Sequence, residues 1–375
     1  MSERLLHEQS PQNPQEGFYD RLREKHLLHY EGCGNQLGVV PLTLAGYPLE
    51  AGDAWKADPT LRKMLTEWGR EINSDSVMVI TGDPLNADEQ KYHVSMTVFE
   101  PNGDDGSGLG GGLSTMCGNG IRAVARYVQE YVRDNGGDPD LRTVKIKSGS
   151  GERNVEIEGE NFVVDMGEFT TAPKDLAQYV RQPSLLRRKG SQAGADGRYI
   201  DAPIPAEIQR KLADYTSAKT WSIGLNGTRN EAGAIDGEPH IIIEIPRNEV
   251  DDIDQLRALA VAAGPVVTKN LGYFPGEINV NFVVYDHVDD EGRLVIWNAT
   301  HERNLGDDAD HSVTAACGTG STVAGGVMFE KYGANAVNRT VVVKNTGGDL
   351  EITPSKTEDK SLLMKGPANK VIETQ

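Results

Sequence analysis

The chain has 375 residues, a formal net charge of −18, 38% hydrophobic residues and 42 glycines. This length and composition predict a soluble, loop-rich globular protein of two or three domains and exclude a largely disordered chain. The excess of acidic residues argues against a nucleic-acid partner, because phosphate binding normally needs a basic face.

The sequence also argues against a membrane, metal or disulfide protein. No segment approaches the roughly 20 consecutive apolar residues that span a bilayer, and the first eight residues lack the apolar core of a signal peptide. Cys33, Cys117 and Cys317 lie far apart, without a disulfide framework, a CxxC spacing or histidines at metal-ligand spacing. We therefore expect a cytoplasmic protein with reduced thiols and no metal.

The N-terminal part of the chain combines strand and helix patterns. Residues 1–17 are polar, contain prolines and predict a flexible tail. Apolar runs at 39–42, 77–80 and 94–99 predict strands, whereas the spacing of apolar residues over 59–70 predicts a helix. A Gly- and Asp-rich loop follows over 102–114.

The C-terminal part repeats this combination. Short apolar runs predict strands at 163–166, 241–243, 280–284 and 294–296. Helical spacing predicts a helix over 253–263. Between these elements, the polar stretch 181–236 is interpreted as an insertion with one helix over 206–215.

One internal similarity connects the two parts. Residues 116–125 resemble residues 316–324, and each segment is a Cys-Gly-x-Gly turn that runs into a helical apolar pattern. Each half of the protein can therefore contribute one copy. We predict an N-terminal half over 18–160 and a C-terminal half over 161–358, facing each other.

The two turns suit a specific chemistry. Glycines beside the cysteine let the backbone approach a ligand, and the free amides that open a helix bind anions such as a carboxylate. The same surroundings are expected to lower the pKa of a cysteine, which would make a thiolate available at neutral pH. A thiolate and a thiol on opposite faces of an amino acid can invert its α-carbon, one removing the proton and the other returning it. Cys117 and Cys317 are the candidate pair.

Nine motifs occur in an order that resembles the diaminopimelate epimerase family, a group of cofactor-independent amino-acid racemases and epimerases. They lie at 32–35, 116–122, 164–167, 237–240, 279–282, 302–303, 316–320, 347–350 and 366–368. The resemblance implies an α/β (α+β) fold of two pseudosymmetric domains, each a curved, mostly antiparallel sheet around a central helix. It also implies an active site between the domains and no cofactor, with a homodimer as the common assembly. The closing segment 359–375 would return to the N-terminal half.

The resemblance further implies roles for individual residues. Cys117 and Cys317 would be the catalytic acid and base. The remaining positions would bind the substrate: Gly118, Asn119, Gly318 and Thr319 through its reacting carboxylate, and Asn35, Asn279, Glu302 and Arg303 through other groups, with His240 beside the cysteines. From the residues alone, His240 is equally a general base or a structural histidine that positions a neighbour.

Three positions depart from the family pattern. Glu100 and Glu238 stand where the family usually has asparagines that hold the distal end of diaminopimelate, and Ser76 stands where a glutamine is usual. Carboxylates at the first two positions would disfavour a distal carboxylate and suit a cationic or imidazole side chain. The spacing from Arg303 to Cys317 is also longer than usual.

Three interpretations of function remain open. The first is epimerisation of LL-diaminopimelate to the meso form in lysine biosynthesis, and the second is racemisation of histidine or another basic amino acid. The third is a redox-regulated, non-catalytic protein in which Cys117 and Cys317 form a disulfide. The G-x-G-x-x-G pattern at 106–111 is interpreted as a surface loop or lid, because no strand enters it directly as in a dinucleotide site. Cys33 is interpreted as a packing residue.

Overall fold

The computed structural model describes residues 14–25, 27–87, 91–181, 198–303, 312–333, 339–356 and 360–371. Four sequence predictions fall partly outside this range, among them the closing segment 359–375, of which residues 359 and 372–375 lie outside it. Of the predicted tail 1–17, residues 1–13 lie outside it, and the first helix begins at Pro14. Residues 182–197 of the predicted insertion and 304–311 of the long spacing before Cys317 also lie outside it.

Two of the described helices, those at Gly118–Asp134 and Gly318–Tyr332, are each surrounded by a curved sheet. The described helices are α1 (Pro14–Lys25), α2 (Pro59–Glu71), α3 (Gly118–Asp134), α4 (Pro173–Leu176), α5 (Ala206–Leu212), α6 (Ile253–Thr268) and α7 (Gly318–Tyr332). Short 3-10 helices occupy Leu42–Ala45, Leu49–Ala57, Pro84–Asn86 and Arg247–Glu249. Within the described residues, no helix is long and apolar enough to cross a membrane.

Seventeen strands of the described chain join into one connected sheet. They are β1 (Leu28–Gly32), β2 (Asn35–Pro41), β3 (Ser76–Thr81), β4 (Val94–Glu100), β5 (Gly112–Ser114), β6 (Thr143–Ser148), β7 (Gly151–Glu158), β8 (Asn161–Thr170), β9 (Ala202–Pro203), β10 (Thr220–Arg229), β11 (Ile235–Glu244), β12 (Asn279–Val288), β13 (Leu294–His301), β14 (Val341–Asn345), β15 (Gly348–Pro354), β16 (Ser361–Pro367) and β17 (Asn369–Lys370).

The first part of this sheet curves around helix α3. Its strands follow the order β17, β1, β2, β3, β4, β6, β7 and β8. Strand β16 pairs with β8 and leads into β17, so this first ring closes through strands from near the end of the chain. The apolar residues Ile121, Val124 and Val128 of α3 are buried in its core.

The second part closes around helix α7. Strand β8 pairs with β16, and the order continues through β15, β14, β13, β12 and β11 to β10, which pairs back onto β8. Helix α7 contacts every strand of this second ring. Residues 318–328 of the helix are all buried, because the strands of this ring surround it. Strands β8 and β16 therefore belong to both rings.

The fold class predicted from the sequence is confirmed, with two curved, mostly antiparallel sheets around one central helix each. The helices predicted over 59–70, 206–215 and 253–263 correspond to α2, α5 and α6. Strand β10 lies within the predicted insertion 181–236, yet it is a buried member of the second ring. Its Trp221, Ile223 and Leu225 alternate along one face of the strand and are buried in a core that includes α6.

Candidate active site

Helices α3 and α7 begin next to each other, where the two rings meet. Cys117 and Cys317 are their N-cap residues, and each sulfur accepts a hydrogen bond from the amide three residues later, at 3.3 and 3.4 Å. A Cβ added to Gly318 would lie 3.2 Å from the Cα of Gly118, so the two backbones approach as closely as glycine permits. The free amides of both helix starts therefore face the same space.

A cavity of about 530 Å³ opens at this junction. Thirteen of the fourteen predicted site residues line it: Asn35, Ser76, Glu100, Cys117, Gly118, Asn119, Glu238, Asn279, Glu302, Arg303, Cys317, Gly318 and Thr319. The fourteenth, His240, is completely buried beneath the second turn. The fold thus brings together residues from both halves of the sequence around the two thiols.

Two asparagines connect the first turn to the second. The side-chain amides of Asn35 and Asn119 both donate to the carbonyl of Ala316, at 2.6 and 2.7 Å. The buried guanidinium of Arg122 donates to the oxygen of Asn119 at 2.6 Å. Asn35, which is predicted to contact the substrate, lines the cavity, and its amide group also holds the second Cys-Gly-x-Gly turn in place.

A chain of buried side chains fixes the protonation of His240. The amide of Asn345 donates to two backbone carbonyls, so its oxygen accepts from Asn298, whose oxygen accepts from Asn281 at 2.7 Å. The oxygen of Asn281 is therefore left to accept from Nδ1 of His240 at 2.8 Å. Burial lowers the pKa of His240 to about 3, so the ring is neutral and its Nε2 is an acceptor.

Thr319 joins this histidine to the second thiol. Its hydroxyl lies 3.2 Å from Nε2 of His240 and 3.3 Å from the sulfur of Cys317. The amide of Asn279 also approaches Nε2, at 3.4 Å, while its oxygen accepts from the backbone of Arg303. The histidine therefore does not line the cavity and contacts the second turn through Thr319.

The pKa values of the two thiols are raised, whereas the sequence predicts that they are lowered. Burial raises the pKa of Cys117 to about 12, and nearby Glu302, Asp75 and Glu100 raise it further, against the opposing effect of the Gly120 amide. Burial, together with Glu302, also raises the pKa of Cys317 well above its ordinary value. One helix N-terminus does not outweigh desolvation and several carboxylates, so the site holds both sulfurs as thiols before a ligand enters.

Glu302 is the titratable group in contact with Cys317. Burial raises the pKa of this carboxyl to about 7, against hydrogen bonds from Thr314, at 2.7 Å, and Cys317. A carboxyl with this pKa can take up or release a proton near neutral pH. It is therefore suited to exchange a proton with the thiol beside it.

The other acidic residues lie with Arg303. An oxygen of Glu238 lies 2.7 Å from one terminal nitrogen of Arg303, and the other terminal nitrogen donates to the carbonyl of Gly276 at 3.2 Å. Burial and the neighbouring Glu238 raise the pKa of Glu100, against the lowering effects of Ser114 and Arg303. This end of the cavity is consequently crowded with carboxylates.

Several cavity residues were not identified from the sequence. They are Asn73, Asp75, Ser114, Tyr179, Asp236 and Thr314, among others. Asp75 and Asp236 adjoin or nearly adjoin motif residues, which was the available signal. Tyr179, whose hydroxyl donates to the carbonyl of Gly237 at 3.2 Å, lies in no motif, and its position depends on how the chain folds after α4.

The Gly-rich loop 102–114 borders the cavity through both of its ends, at Asn102, Gly103, Leu113 and Ser114. The buried guanidinium of Arg62, on α2, donates to the carbonyls of Gly110 and Gly111 at 3.0 and 2.8 Å, and pairs with Asp105 at 2.9 Å. Arg62 therefore attaches the loop to the first turn of α2, both near the start of the loop and near its end. Among the described residues, no group of His, Cys, Asp and Glu side chains is arranged to hold a metal ion.

Comparison with known proteins places this chain in a family. The family model described as diaminopimelate epimerase matches residues 235–371. The diaminopimelate epimerase of Geobacillus sp. (strain WCH70) is 31% identical over 282 residues, which cover 74% of this chain and 76% of the relative. That of Methanocaldococcus jannaschii is 27% identical over 82% of this chain and 85% of its own length. The chain belongs to the diaminopimelate epimerase family.

Solved structures share the fold of this family member. A hydroxyproline epimerase from Agrobacterium vitis superposes with a TM-score of 0.52 at 13% identity, covering 92% of this chain and 90% of that one. A putative phenazine biosynthesis PhzC/PhzF protein from Clostridium difficile (strain 630) superposes with a TM-score of 0.50 at 14% identity, covering 92% and 96%. At these identities, the likeness concerns the fold alone.

Proposed function

We propose that this member of the diaminopimelate epimerase family inverts the α-carbon of a free amino acid with Cys117 and Cys317 as its acid and base. One observation carries the proposal: two cysteines, each capping a helix, face one cavity where Gly118 and Gly318 bring the helix starts into contact. The family is an isomerase family, which agrees with this chemistry.

In the proposed reaction, the substrate carboxylate lies between the two helix starts and accepts hydrogen bonds from their amides. These donors, and the helix dipoles, stabilise the negative charge that develops on the carboxylate when the α-proton leaves. One sulfur takes the α-proton as a thiolate, and the opposite sulfur delivers its own proton to the other face of the carbon. After one turnover the two sulfurs have exchanged protonation states.

The thiolate must be generated when the substrate binds, because burial keeps both thiols protonated beforehand. Glu302 contacts Cys317, and burial raises the pKa of Glu302 to about 7, so this carboxylate is the group that can receive the thiol proton. Exclusion of water by the bound substrate strengthens the contacts of the thiolate with its amide and hydroxyl donors. Glu302 thus exchanges a proton with the sulfur of Cys317 and also lines the cavity in which the substrate lies.

Two substrates follow from different observations. LL-diaminopimelate, converted to the meso form in cytoplasmic lysine biosynthesis, is indicated by the relatives named diaminopimelate epimerase and by Arg303 in the cavity. A basic amino acid such as histidine or lysine is indicated by Glu100 and Glu238, where the family usually has asparagines. No cofactor and no nucleic-acid or membrane partner is required by either proposal, and a homodimer is compatible with both.

The test is NMR of the reduced enzyme in deuterated water, following loss of the α-hydrogen signal and formation of the opposite configuration. Diaminopimelate, histidine, lysine and ornithine are offered separately. We expect exchange with at least one of them, and loss of turnover from both stereoisomers in Cys117→Ser and Cys317→Ser, with ligand binding retained. Cys33→Ser is the matched control, because Cys33 is buried outside the cavity. A protein that exchanges no α-proton when reduced would favour the redox interpretation and overturn the proposal.

A further inference from the structure

The cavity carries far more negative than positive side chains. Five carboxylates line it, those of Asp75, Glu100, Asp236, Glu238 and Glu302. Among the described residues that line it, one guanidinium, that of Arg303, is the basic side chain. A free amino acid without a charged side chain brings one positive and one negative group, so it leaves this imbalance unchanged.

The single guanidinium is already engaged. Arg303 uses one terminal nitrogen for Glu238 at 2.7 Å and the other for the carbonyl of Gly276 at 3.2 Å. Both partners of the ion pair are largely buried, with side-chain exposures of 20% for Arg303 and 17% for Glu238. A substrate carboxylate that approaches Arg303 meets a guanidinium whose charge is already paired with Glu238, and it would lie beside that second carboxylate.

Glu100 lacks an equivalent partner. It makes no ion pair with any residue in the described part of the chain, although it is close enough to Glu238 and Arg303 to be influenced by both. Its contact is with the Ser114 hydroxyl. A largely buried carboxylate of this kind is stabilised when a cation enters the cavity beside it.

Resting on the proposed function, we infer that the Glu100 end of the cavity binds the cationic end of the substrate side chain and rejects a carboxylate there. Glu100 is the direct partner of this ammonium, guanidinium or imidazolium group. Glu238 holds Arg303 away from the substrate and thereby removes the group that would otherwise attract a distal carboxylate. The substrate class is a basic α-amino acid.

Binding at this end also affects the chemistry. Glu100 is one of the carboxylates that raise the pKa of Cys117. A cation next to Glu100 offsets that influence and makes the thiolate of Cys117 easier to form. A basic side chain is therefore expected to increase kcat as well as lower KM, which a purely structural role of Glu100 would not produce.

The experiment compares lysine with norleucine, which has the same carbon chain without the terminal ammonium, and with LL-diaminopimelate. In the wild type we expect kcat/KM for lysine to exceed that for norleucine by about a hundredfold, as is typical of a largely desolvated charge pair. Glu100→Gln should raise KM for lysine and reduce the ratio of kcat/KM for lysine to that for norleucine by at least about tenfold. The kcat for norleucine should not fall, because the variant also removes a carboxylate that raises the pKa of Cys117. Histidine and ornithine extend the comparison to the other cations.

Glu238→Gln tests the opposite side of the inference. It frees the guanidinium of Arg303, so kcat/KM for LL-diaminopimelate should rise relative to that for lysine. Glu168→Gln is the matched control, because Glu168 also pairs with an arginine, Arg229, but lies outside the cavity. This control should leave all the ratios as in the wild type. If Glu100→Gln does not fold, as judged by circular dichroism, the inference is tested by Glu238→Gln alone. The inference is then wrong if this variant does not raise kcat/KM for LL-diaminopimelate relative to that for lysine.

The outcomes separate the inference from the proposed function. If the wild type turns over LL-diaminopimelate more efficiently than every basic amino acid, the inference is wrong while the two-thiol epimerase stands. If lysine and norleucine react equally well, the inference is also wrong. If no amino acid exchanges its α-proton in the reduced wild type, the proposed function itself fails.

Discussion

Thr319→Val removes the hydroxyl between Cys317 and His240 while keeping the size and β-branching of the side chain. In the native site this hydroxyl has one proton and two acceptors within reach, the sulfur at 3.3 Å and Nε2 of His240 at 3.2 Å. When Cys317 is a thiol, its proton is donated to Glu302 and the Thr319 hydroxyl donates to Nε2 of His240. When Cys317 is a thiolate, the hydroxyl turns to the sulfur, and the amide of Asn279 remains for Nε2 at 3.4 Å. One rotating hydroxyl therefore serves both states.

The size of the effect follows from the lost hydrogen bond. A hydrogen bond to a charged group contributes about 1.5–3 kcal/mol, and one pKa unit corresponds to about 1.4 kcal/mol. The variant should therefore raise the pKa of Cys317 by about one to two units and reduce the thiolate fraction at neutral pH about tenfold to a hundredfold. Thr319→Ser, which keeps the hydroxyl, should restore most of the loss.

The assay is alkylation by iodoacetamide as a function of pH, with the peptides of Cys317 and Cys117 quantified separately by mass spectrometry. Only the Cys317 profile should move, because the matching position of the first turn is Asn119, whose amide donates to Ala316 and accepts from Arg122. Glu302 also faces Cys317, and it is present in both proteins. An unchanged Cys317 profile in Thr319→Val, or an equal shift of both cysteines, would refute the reasoning.

Two further predictions concern the fold around the thiols. Burial raises the pKa of Glu302 to about 7 from 4.5, so this carboxyl stabilises the fold when protonated, and that contribution is lost as the pH rises through 7. In urea unfolding, Glu302→Gln should gain stability relative to the wild type between about pH 5 and about pH 8, and a constant difference would contradict this. Gly318→Ala places a Cβ 3.2 Å from the Cα of Gly118, so it should abolish activity and lower the free energy of unfolding by about 1–3 kcal/mol. The control Gly272→Ala, whose Cβ would lie 3.5 Å from its nearest neighbour, should leave activity and stability unchanged.

The two Cys-Gly-x-Gly turns were the most informative part of the sequence. Their glycines and the apolar spacing after them are local features, so they predict two helix starts without knowledge of the rest of the fold. The family motifs then placed Glu302, Arg303 and Asn279 near them. Each of these residues lies at or next to a strand end that faces the junction of the rings. Short motifs in the family's order were therefore sufficient to predict that these residues lie together.

What the sequence could not predict depends on long-range burial. The expected lowering of the thiol pKa values considered only the helix N-terminus, whereas burial and carboxylates from distant parts of the chain dominate. The polar stretch around β10 concealed a ring strand, because its buried face alternates with glycine, asparagine and threonine. The contact of Arg303 with Glu238 spans 65 residues and cannot be inferred from either motif alone.

Strands β8 and β16, which belong to both rings, have a consequence for synthesis on the ribosome. The first ring is built mostly from early strands, yet its closure needs β16 and β17, which are translated after the entire second ring except β16 itself. While the rest of the chain is made, the free edge of β1 and one side of α3 lack their final neighbours. Neither ring can therefore close before β16 is made, and the surroundings of both Cys-Gly-x-Gly turns are complete only after residues 361–370 have been synthesised.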